Sequence, residues 1–368
     1  MEKRLVGKNN KLTEKENKYL KNLYTYFIIS FYLNHISEQA NTKLGLKFFK
    51  NVFKDIKEVT KKVIKRKKFI DDETKEKFIE KLESLKFDMN EQLDLANKTY
   101  LEFCINSIPF NSGHNRRLIS KNLELYMTKL SKKLKISKYS CNHFISASNL
   151  ATDAIIKPNA YYIQTKNVVV FNLAFFMYPY YDFRLPFSLN YGTIGNIVAH
   201  EILHAFDRIG RQFDKDGNRA MLATKKSEEE IRKKEECFVE QYNDQDFNGL
   251  EDTKVNGTLT LDENISDNGS IKLAHRAYLM FAKNYNVSKR VMRKIKLTHE
   301  QLFFIGATKL FCKKRSKEIK FYAQSFDLHA PLKNRVLTML SNYRPFSKAF
   351  NCETESFIDL ENRCELWR

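Results

Sequence analysis

The 368-residue sequence contains few of the residues that interrupt helices, with only 11 glycines and 6 prolines. Residues 12–105 hold few of either, and their apolar and charged side chains alternate at helical spacing. This scarcity predicts a mainly helical protein. The sequence also lacks internal repeats, which argues against a repeat protein. It lacks the glycine-rich, aromatic-interleaved pattern of an RNA-binding domain, which argues against that class as well.

Long hydrophobic runs are also absent. No segment reaches the roughly 18 consecutive apolar residues that a membrane-spanning helix requires. The nearest stretch, residues 24–33, is much shorter, and its aromatic and β-branched content predicts a buried helix. The first residues contain no apolar signal core, so the sequence itself predicts neither a membrane segment nor a secretion signal.

The cysteines form no CxxC pair, which excludes a zinc ribbon and leaves either free thiols or long-range disulfides. There are six of them, far apart along the chain: Cys104, Cys141, Cys237, Cys312, Cys352 and Cys364.

Acidic residues are outnumbered by basic ones, and the formal net charge is +20. The simpler interpretation is a lysine-rich solvated surface, and the sharper one is a basic patch for nucleic acid or anionic lipid. The longest basic run, residues 61–68, contains Val63 and Ile64, which is typical of one face of an amphipathic helix. We therefore predict no nucleic-acid partner.

Local patterns predict several elements. Residues 71–74 (DDET) are typical of a helix start with an acidic first turn. Residues 161–164 and 168–171 are short β-type runs about a Thr-Lys-Asn turn. Residues 195–206 predict a helix, and residues 224–236, strongly charged at helical spacing, predict another with a solvated face.

A zinc-binding pattern lies within the sequence NIVAHEILHAFD at residues 196–207. His200 and His204 are four residues apart, so on a helix both imidazoles leave the same face. Two such imidazoles can bind one zinc ion, and Glu201 then lies beside the metal's open position. A carboxylate there can accept a proton from water and pass it to a leaving amine.

A zinc site needs a third protein ligand. Gly210 stands where the metzincin pattern has a third histidine, so we expect a distant carboxylate instead. In LDENISDNG, residues 261–269, Glu263 can ligate zinc while Asp267, four residues on, holds a ligating imidazole. The alternative interpretation is an acidic first helical turn with a capping residue.

These motifs resemble the neprilysin and endothelin-converting-enzyme family of zinc metallopeptidases, which has HExxHxFD followed downstream by ENIADxxG. Further similarities stand in the same order and cover essentially the whole chain. They lie at residues 69–74, 159–162 (NAYY), 188–192 (SLNYG), 327–331 (DLHAP) with Arg335, and 364–367 (CELW).

The resemblance implies that one zinc ion binds to His200, His204 and Glu263. Glu201 would be the general base and acid of peptide hydrolysis. Asp267 would orient His200 and belong to the catalytic set.

The resemblance also implies roles around this centre. Asp207 would orient His204, and His329 would donate a hydrogen bond to the oxyanion of the transition state. Considered alone, His329 would be interpreted as a surface histidine. The remaining implied contacts are with substrate: Asn159, Ala160, Tyr180, Phe311 and Arg335.

Family members begin with a membrane helix or a signal peptide and then a capping lobe, whereas this sequence begins partway through that lobe. The sequence is therefore expected to be either a fragment of a longer, membrane-anchored protein or a shortened paralogue, and the resemblance implies an extracellular or cell-surface location. Cys237 and Cys364 match a family disulfide that is wholly present, so we predict that pair. Cys312 and Cys352 match cysteines whose family partners lie in the missing region.

We therefore predict a mainly α-helical fold with a small β-sheet. Residues 1–125 would form a partial helical capping lobe, and residues 126–368 a thermolysin-like (gluzincin) catalytic lobe. The predicted function is a zinc metalloendopeptidase that cleaves oligopeptides before large hydrophobic residues. The alternative is a catalytically impaired, truncated paralogue that binds peptides. A basic nucleic-acid binder is a third hypothesis, which only the net charge supports.

Overall fold

The computed structural model describes residues 14–106, 118, 121–122, 125, 156–247, 250, 252–286, 295–313, 316–353 and 363–367. The chain divides into two compact units. The first comprises residues 1–43, 88–159 and 171–177, and the second comprises residues 44–87, 160–170 and 178–368. The separation into a capping and a catalytic lobe at about residue 125 stays a prediction.

The first unit contains helices α1 (Glu14–Glu38), α4 (Asn90–Ala96) and α5 (Lys98–Asn106), and α1 packs against α4. The prediction of a buried helix over residues 24–33 is wrong for part of that stretch. Ile29 and Leu33 are fully buried, whereas Ile28 and Phe31 are 67% and 76% exposed. The reason is that apolar side chains project from several faces of this helix, and the rest of the described structure packs against only some of those faces. No helix among the described residues is long and apolar enough to cross a membrane.

The second unit begins within α2 (Ala40–Arg66), followed by α3 (Asp72–Ser84). Val63 and Ile64 are buried, which confirms the amphipathic interpretation of this basic run. The predicted start of α3 is confirmed as well. The Asp71 carboxylate accepts a hydrogen bond of 2.9 Å from the Thr74 amide and so caps the first turn.

The helices that carry the predicted metal ligands lie in the second unit. A helical run begins with α6 (Phe187–Asn190), passes through a π-helical turn (Tyr191–Gly195) and ends as α7 (Asn196–Leu203). Helix α9 (Leu261–Asn284) packs along α7, and α8 (Lys225–Asn243) packs along α9. Among the described residues, the helices that follow are α10 (His299–Thr308), α11 (Lys317–Phe326), α12 (Leu332–Ser341) and α13 (Arg344–Phe350).

A small sheet accompanies the helices, with strands β1 (Lys86–Asp88), β2 (Ala160–Ile163) and β3 (Val168–Phe171) in the order β1-β3-β2. β2 and β3 are joined by a 3-10 turn, Gln164–Lys166, and by Asn167, which adopts the left-handed conformation at φ 50°. Asparagine is one of the few residues that tolerate this conformation, because its side chain can bond locally. The prediction of a mainly α-helical protein with a small sheet is confirmed.

Candidate metal centre

Helix α7 is buried, and most of its side chains are apolar. Val198, Ala199 and Ile202 are fully buried and fix the helix in the core. Their packing orients His200 and His204, whose ring centroids lie 4.7 Å apart and whose Nε2 atoms lie 3.1 Å apart. The helical spacing thus brings two imidazole nitrogens to one point, as the sequence predicts.

Helix α9 delivers the predicted carboxylate ligand to the same point. A glycine at position 269 permits the approach, because a Cβ there would lie only 2.4 Å from the Leu203 side chain of α7. Glu263, in the first turn of α9, lies with Oε2 3.0 Å from His200 Nε2 and with Oε1 3.5 Å from His204 Nε2. Two helices therefore bring together the three predicted ligands.

The second nitrogen of each imidazole faces a buried aspartate. His200 Nδ1 lies 3.0 Å from Asp267 Oδ1, and His204 Nδ1 lies 2.8 Å from Asp207 Oδ2. A neutral imidazole whose Nδ1–H donates a hydrogen bond to this aspartate keeps the lone pair of its Nε2, and each Nε2 is directed at the other and at Glu263.

This donor set fits a zinc ion. Ligands about 2.0–2.1 Å from a tetrahedral zinc ion stand about 3.3 Å from one another. The separations among the two Nε2 atoms and the Glu263 oxygens are 3.0, 3.1 and 3.5 Å. Two lone pairs and a carboxylate at such distances repel one another unless a cation or a proton lies among them.

The short distances between imidazoles and carboxylates also shift the pKa values of the site. Burial lowers the pKa of His200, yet hydrogen bonds to Asp267 and Glu263 outweigh burial and raise that pKa to about 9. Burial alone would raise the pKa of Glu263, but hydrogen bonds from the surrounding histidines hold it far below its usual range. The site therefore attracts positive charge strongly.

Glu201 follows His200 and is buried, with 6% of its surface exposed. Burial raises its pKa, while the neighbouring charges of His200 and His204 lower it in part. A buried carboxylate with a raised pKa beside the predicted ligands is suited to accept a proton and release it again.

His329 reaches the centre from the loop between α11 and α12. Its Nδ1 lies 2.9 Å from Asp327 Oδ1, and its Nε2 lies 3.0 Å from Glu263 Oε2. His200, Glu263 and His329 also satisfy the spacing of a metal-binding group among the described residues. His329 is thus either a neighbour of the centre or a competing ligand, and the two roles predict different results on substitution.

Arg335, in the first turn of α12, pairs with Asp267. Its Nη2 donates to Asp267 Oδ1 at 2.8 Å and its Nε to Asp267 Oδ2 at 2.5 Å. Its guanidinium also lies 5.0 Å from the ring centroid of Phe311. The sequence predicted a substrate contact for Arg335 and missed this ion pair, because no local signal links two residues so far apart in the chain.

The other predicted substrate residues are distributed over both units. Ala160 begins strand β2, which packs against α7 in the second unit. Asn159 belongs to the first unit, and its backbone carbonyl accepts a hydrogen bond of 3.0 Å from the Asn172 amide. Tyr180 is half-buried in the second unit. Their contact with substrate stays a prediction.

A disulfide joins Cys237 of α8 to Cys364, with Cα atoms 5.6 Å apart, as the resemblance implies. It holds residues 363–367 close to α7 and α9. Trp367 contacts Phe206, three residues after α7, with ring centroids 5.9 Å apart, and the Cβ of Trp367 lies 3.3 Å from where a Cβ at position 269 would stand. Cys312 and Cys352 are free thiols.

Comparison with known proteins adds to this geometry. Residues 159–366 match the sequence profile of Peptidase family M13. Endothelin-converting enzyme 1 of Rattus norvegicus is 41% identical over 209 residues, which cover 57% of this chain and 27% of that protein. Neprilysin-1 of Caenorhabditis elegans is 38% identical over 210 residues, which cover 57% and 28%. The matched region thus spans little more than a quarter of each relative.

Solved structures of similar fold extend over more of the chain. A zinc metalloprotease of Mycobacterium tuberculosis in complex with an inhibitor gives a TM-score of 0.67 at 21% identity, covering 90% of this chain and 48% of that one. PepO of Lactobacillus rhamnosis gives 0.66 at 20% identity, covering 95% and 50%. These similarities concern the fold.

Proposed function

The chain belongs to peptidase family M13, and on that premise we propose that it is a zinc-dependent metalloendopeptidase that hydrolyses oligopeptides. The observation that carries the proposal is the convergence of two Nε2 atoms and the Glu263 carboxylate within 3.5 Å, with the Nδ1 of each imidazole facing an aspartate. His200, His204 and Glu263 hold one zinc ion. When bound, zinc supplies Lewis-acid chemistry, acidifying water and polarising the scissile carbonyl.

The residues of the chain supply the remaining chemistry. Glu201 accepts the proton of the attacking water and passes it to the leaving amine. His329 donates a hydrogen bond to the oxygen on which negative charge develops. Asp267 keeps His200 in its ligating orientation, and Asp207 does the same for His204.

Strand β2 and side chains around the zinc site bind the peptide substrate. An extended peptide adds to the edge of the sheet at β2 through Asn159 and Ala160, because main-chain hydrogen bonds accept many sequences. Arg335 binds a substrate carbonyl. Phe311 and Tyr180 line the binding region, which favours cleavage before large hydrophobic residues. The substrates are oligopeptides encountered outside the cell or at its surface.

We expect purified protein to contain about one equivalent of zinc, because three protein ligands and one open position are the set typical of a catalytic zinc site. His204→Ala should lose most of that zinc, since it removes a ligand. His329→Gln should retain it. Metal analysis after dialysis against a weak chelator measures both.

The matched control is His35→Ala, which alters a histidine on α1 in the first unit. Full zinc content in His204→Ala, together with loss in His329→Gln, would assign the third ligand to His329 instead. A wild-type chain that contains no zinc but binds oligopeptides would favour the truncated, peptide-binding paralogue over an enzyme.

A further inference from the structure

Lys81 is a buried cation that the proposed chemistry does not use. It lies in the last turn of α3 and has no exposed surface. Burying a charged ammonium group costs several kcal/mol unless hydrogen bonds compensate for it. The partners of Lys81 therefore indicate why the cation is there.

Those partners are two backbone carbonyls in the loop that follows the metal-binding helix. Lys81 Nζ donates to Gly210 O at 2.5 Å and to Phe213 O at 2.7 Å. Nζ also lies 5.7 Å from the ring centroid of Tyr162 in strand β2. One ammonium group thus connects α3, the loop 207–213 and the sheet.

The loop 207–213 carries the aspartate that orients His204. Asp207 Oδ1 accepts hydrogen bonds from the amides of Ile209 at 2.9 Å and Gly210 at 2.6 Å, while Oδ2 faces His204 Nδ1. Gly210 also lies directly against the metal-binding helix, because a Cβ there would be only 1.9 Å from His204 O. A shift of Gly210 therefore displaces both Asp207 and the end of α7.

A second buried cation, Arg211, binds the loop 207–213 to helix α8. Arg211 donates to Glu228 Oε2 at 2.8 Å and to Glu235 Oε1 at 2.8 Å on α8. Because Arg211 ties the loop to α8 and Lys81 ties it to α3, the position of Asp207 depends on both. The partners of Arg211 are carboxylates, whereas those of Lys81 are the backbone carbonyls of Gly210 and Phe213. Among the described side chains, Lys81 is the one that donates a hydrogen bond to these two carbonyls.

We propose that Lys81 is a positioning residue of the metal centre, whose ammonium group holds the loop 207–213 so that Asp207 keeps His204 in its metal-binding orientation. The assignment rests on the proposed zinc site and deepens it. Burial lowers the pKa of Lys81 to about 8, while Asp207 and Asp214 act to raise it, so the ammonium form predominates at neutral pH.

The test is the zinc affinity of full-length Lys81→Met, measured at pH 7 by competition with a chromophoric chelator. Methionine fills a similar volume but donates no hydrogen bond, so Gly210 O and Phe213 O lose their partner. We expect the zinc dissociation constant to rise about tenfold, the lower end of the range for loss of an outer partner of a ligand. Lys81→Gln, which retains two donors on a shorter chain, should fall between this variant and wild type.

The matched control is Lys77→Met, one turn earlier in α3, where the lysine side chain is 41% exposed and pairs with Glu73. It should bind zinc as wild type does. Circular dichroism and thermal unfolding of the metal-free proteins separate folding from metal binding, and Lys81→Gln carries the comparison if Lys81→Met does not fold. The visible spectrum of the cobalt-loaded protein should also change in the Lys81 variants, because it reports ligand geometry.

A folded Lys81 variant with wild-type zinc affinity and an unchanged cobalt spectrum would overturn this assignment and leave the zinc site standing, even if its unfolding temperature were lower. A wild-type chain that takes up no zinc in the same titration would overturn the proposed function itself. The two failures are therefore distinct.

Discussion

Glu201→Gln is expected to keep its zinc and to lose at least about a hundredfold in turnover, the lower range for general acid-base catalysis. The amide occupies the space of the carboxylate but cannot accept a proton from water. Glu201 is buried at the centre, and burial raises its pKa above the usual range of a glutamate. Its loss therefore removes the proton acceptor without removing a ligand.

Zinc content and steady-state hydrolysis of one fluorogenic peptide measure this prediction together. Glu236→Gln, the same chemical change at an exposed position of α8, is the matched control and should hydrolyse the peptide normally. Near-normal turnover in a zinc-loaded Glu201→Gln chain would mean that another group is the base.

His329→Gln should also lower turnover, by roughly a hundredfold or about 3 kcal/mol, the cost of losing one oxyanion donor. Burial lowers the pKa of His329, but Asp327 and Glu263 outweigh it and raise that pKa, which favours the protonated, donating form. Because the donor acts mainly in the transition state, the Michaelis constant should change little.

Arg335→Met should behave differently. A side chain that holds a substrate carbonyl acts in the ground state and the transition state alike, so its loss should raise the Michaelis constant. The ion pair with Asp267 adds a second effect, because the buried Asp267 carboxylate would lose its cation and keep only its contact with His200. We therefore expect weaker zinc binding in Arg335→Met as well.

Steady-state kinetics and zinc affinity of both variants on one peptide distinguish these roles, with the exposed Arg344→Met as control. A His329→Gln chain that changes only the Michaelis constant would contradict the transition-state role. An Arg335→Met chain with unchanged zinc affinity would mean that Asp267 holds His200 without its arginine.

The elements that carry the site follow from local sequence. Helical spacing alone predicts that the side chains of His200 and His204 leave one face of a helix. The same four-residue spacing predicts that Glu263 and Asp267 lie on one face of α9. The β-type runs on either side of Asn167 correspond to β2 and β3. These features depend on backbone geometry within a few residues, which is why a sequence reveals them.

Local sequence patterns do not predict contacts between segments that lie far apart in the chain. The pairing of Arg335 with Asp267 depends on how α12 packs against α9, and neither residue signals it locally. Lys81 did carry a signal. It lies three residues after Phe78 and seven after Thr74, on the buried stripe of α3, where a lysine must find a partner inside the protein.

The two Nε2 lone pairs that face each other and Glu263 also bear on the lifetime of the chain. A cation that relieves their repulsion binds the folded protein and not the unfolded one, so free zinc at a hundred times its dissociation constant adds about 2.7 kcal/mol to the free energy of unfolding. Proteolysis generally acts on the transiently open population, which this term reduces about a hundredfold. Zinc supply would thus govern how much of the protein persists as well as how fast each molecule works.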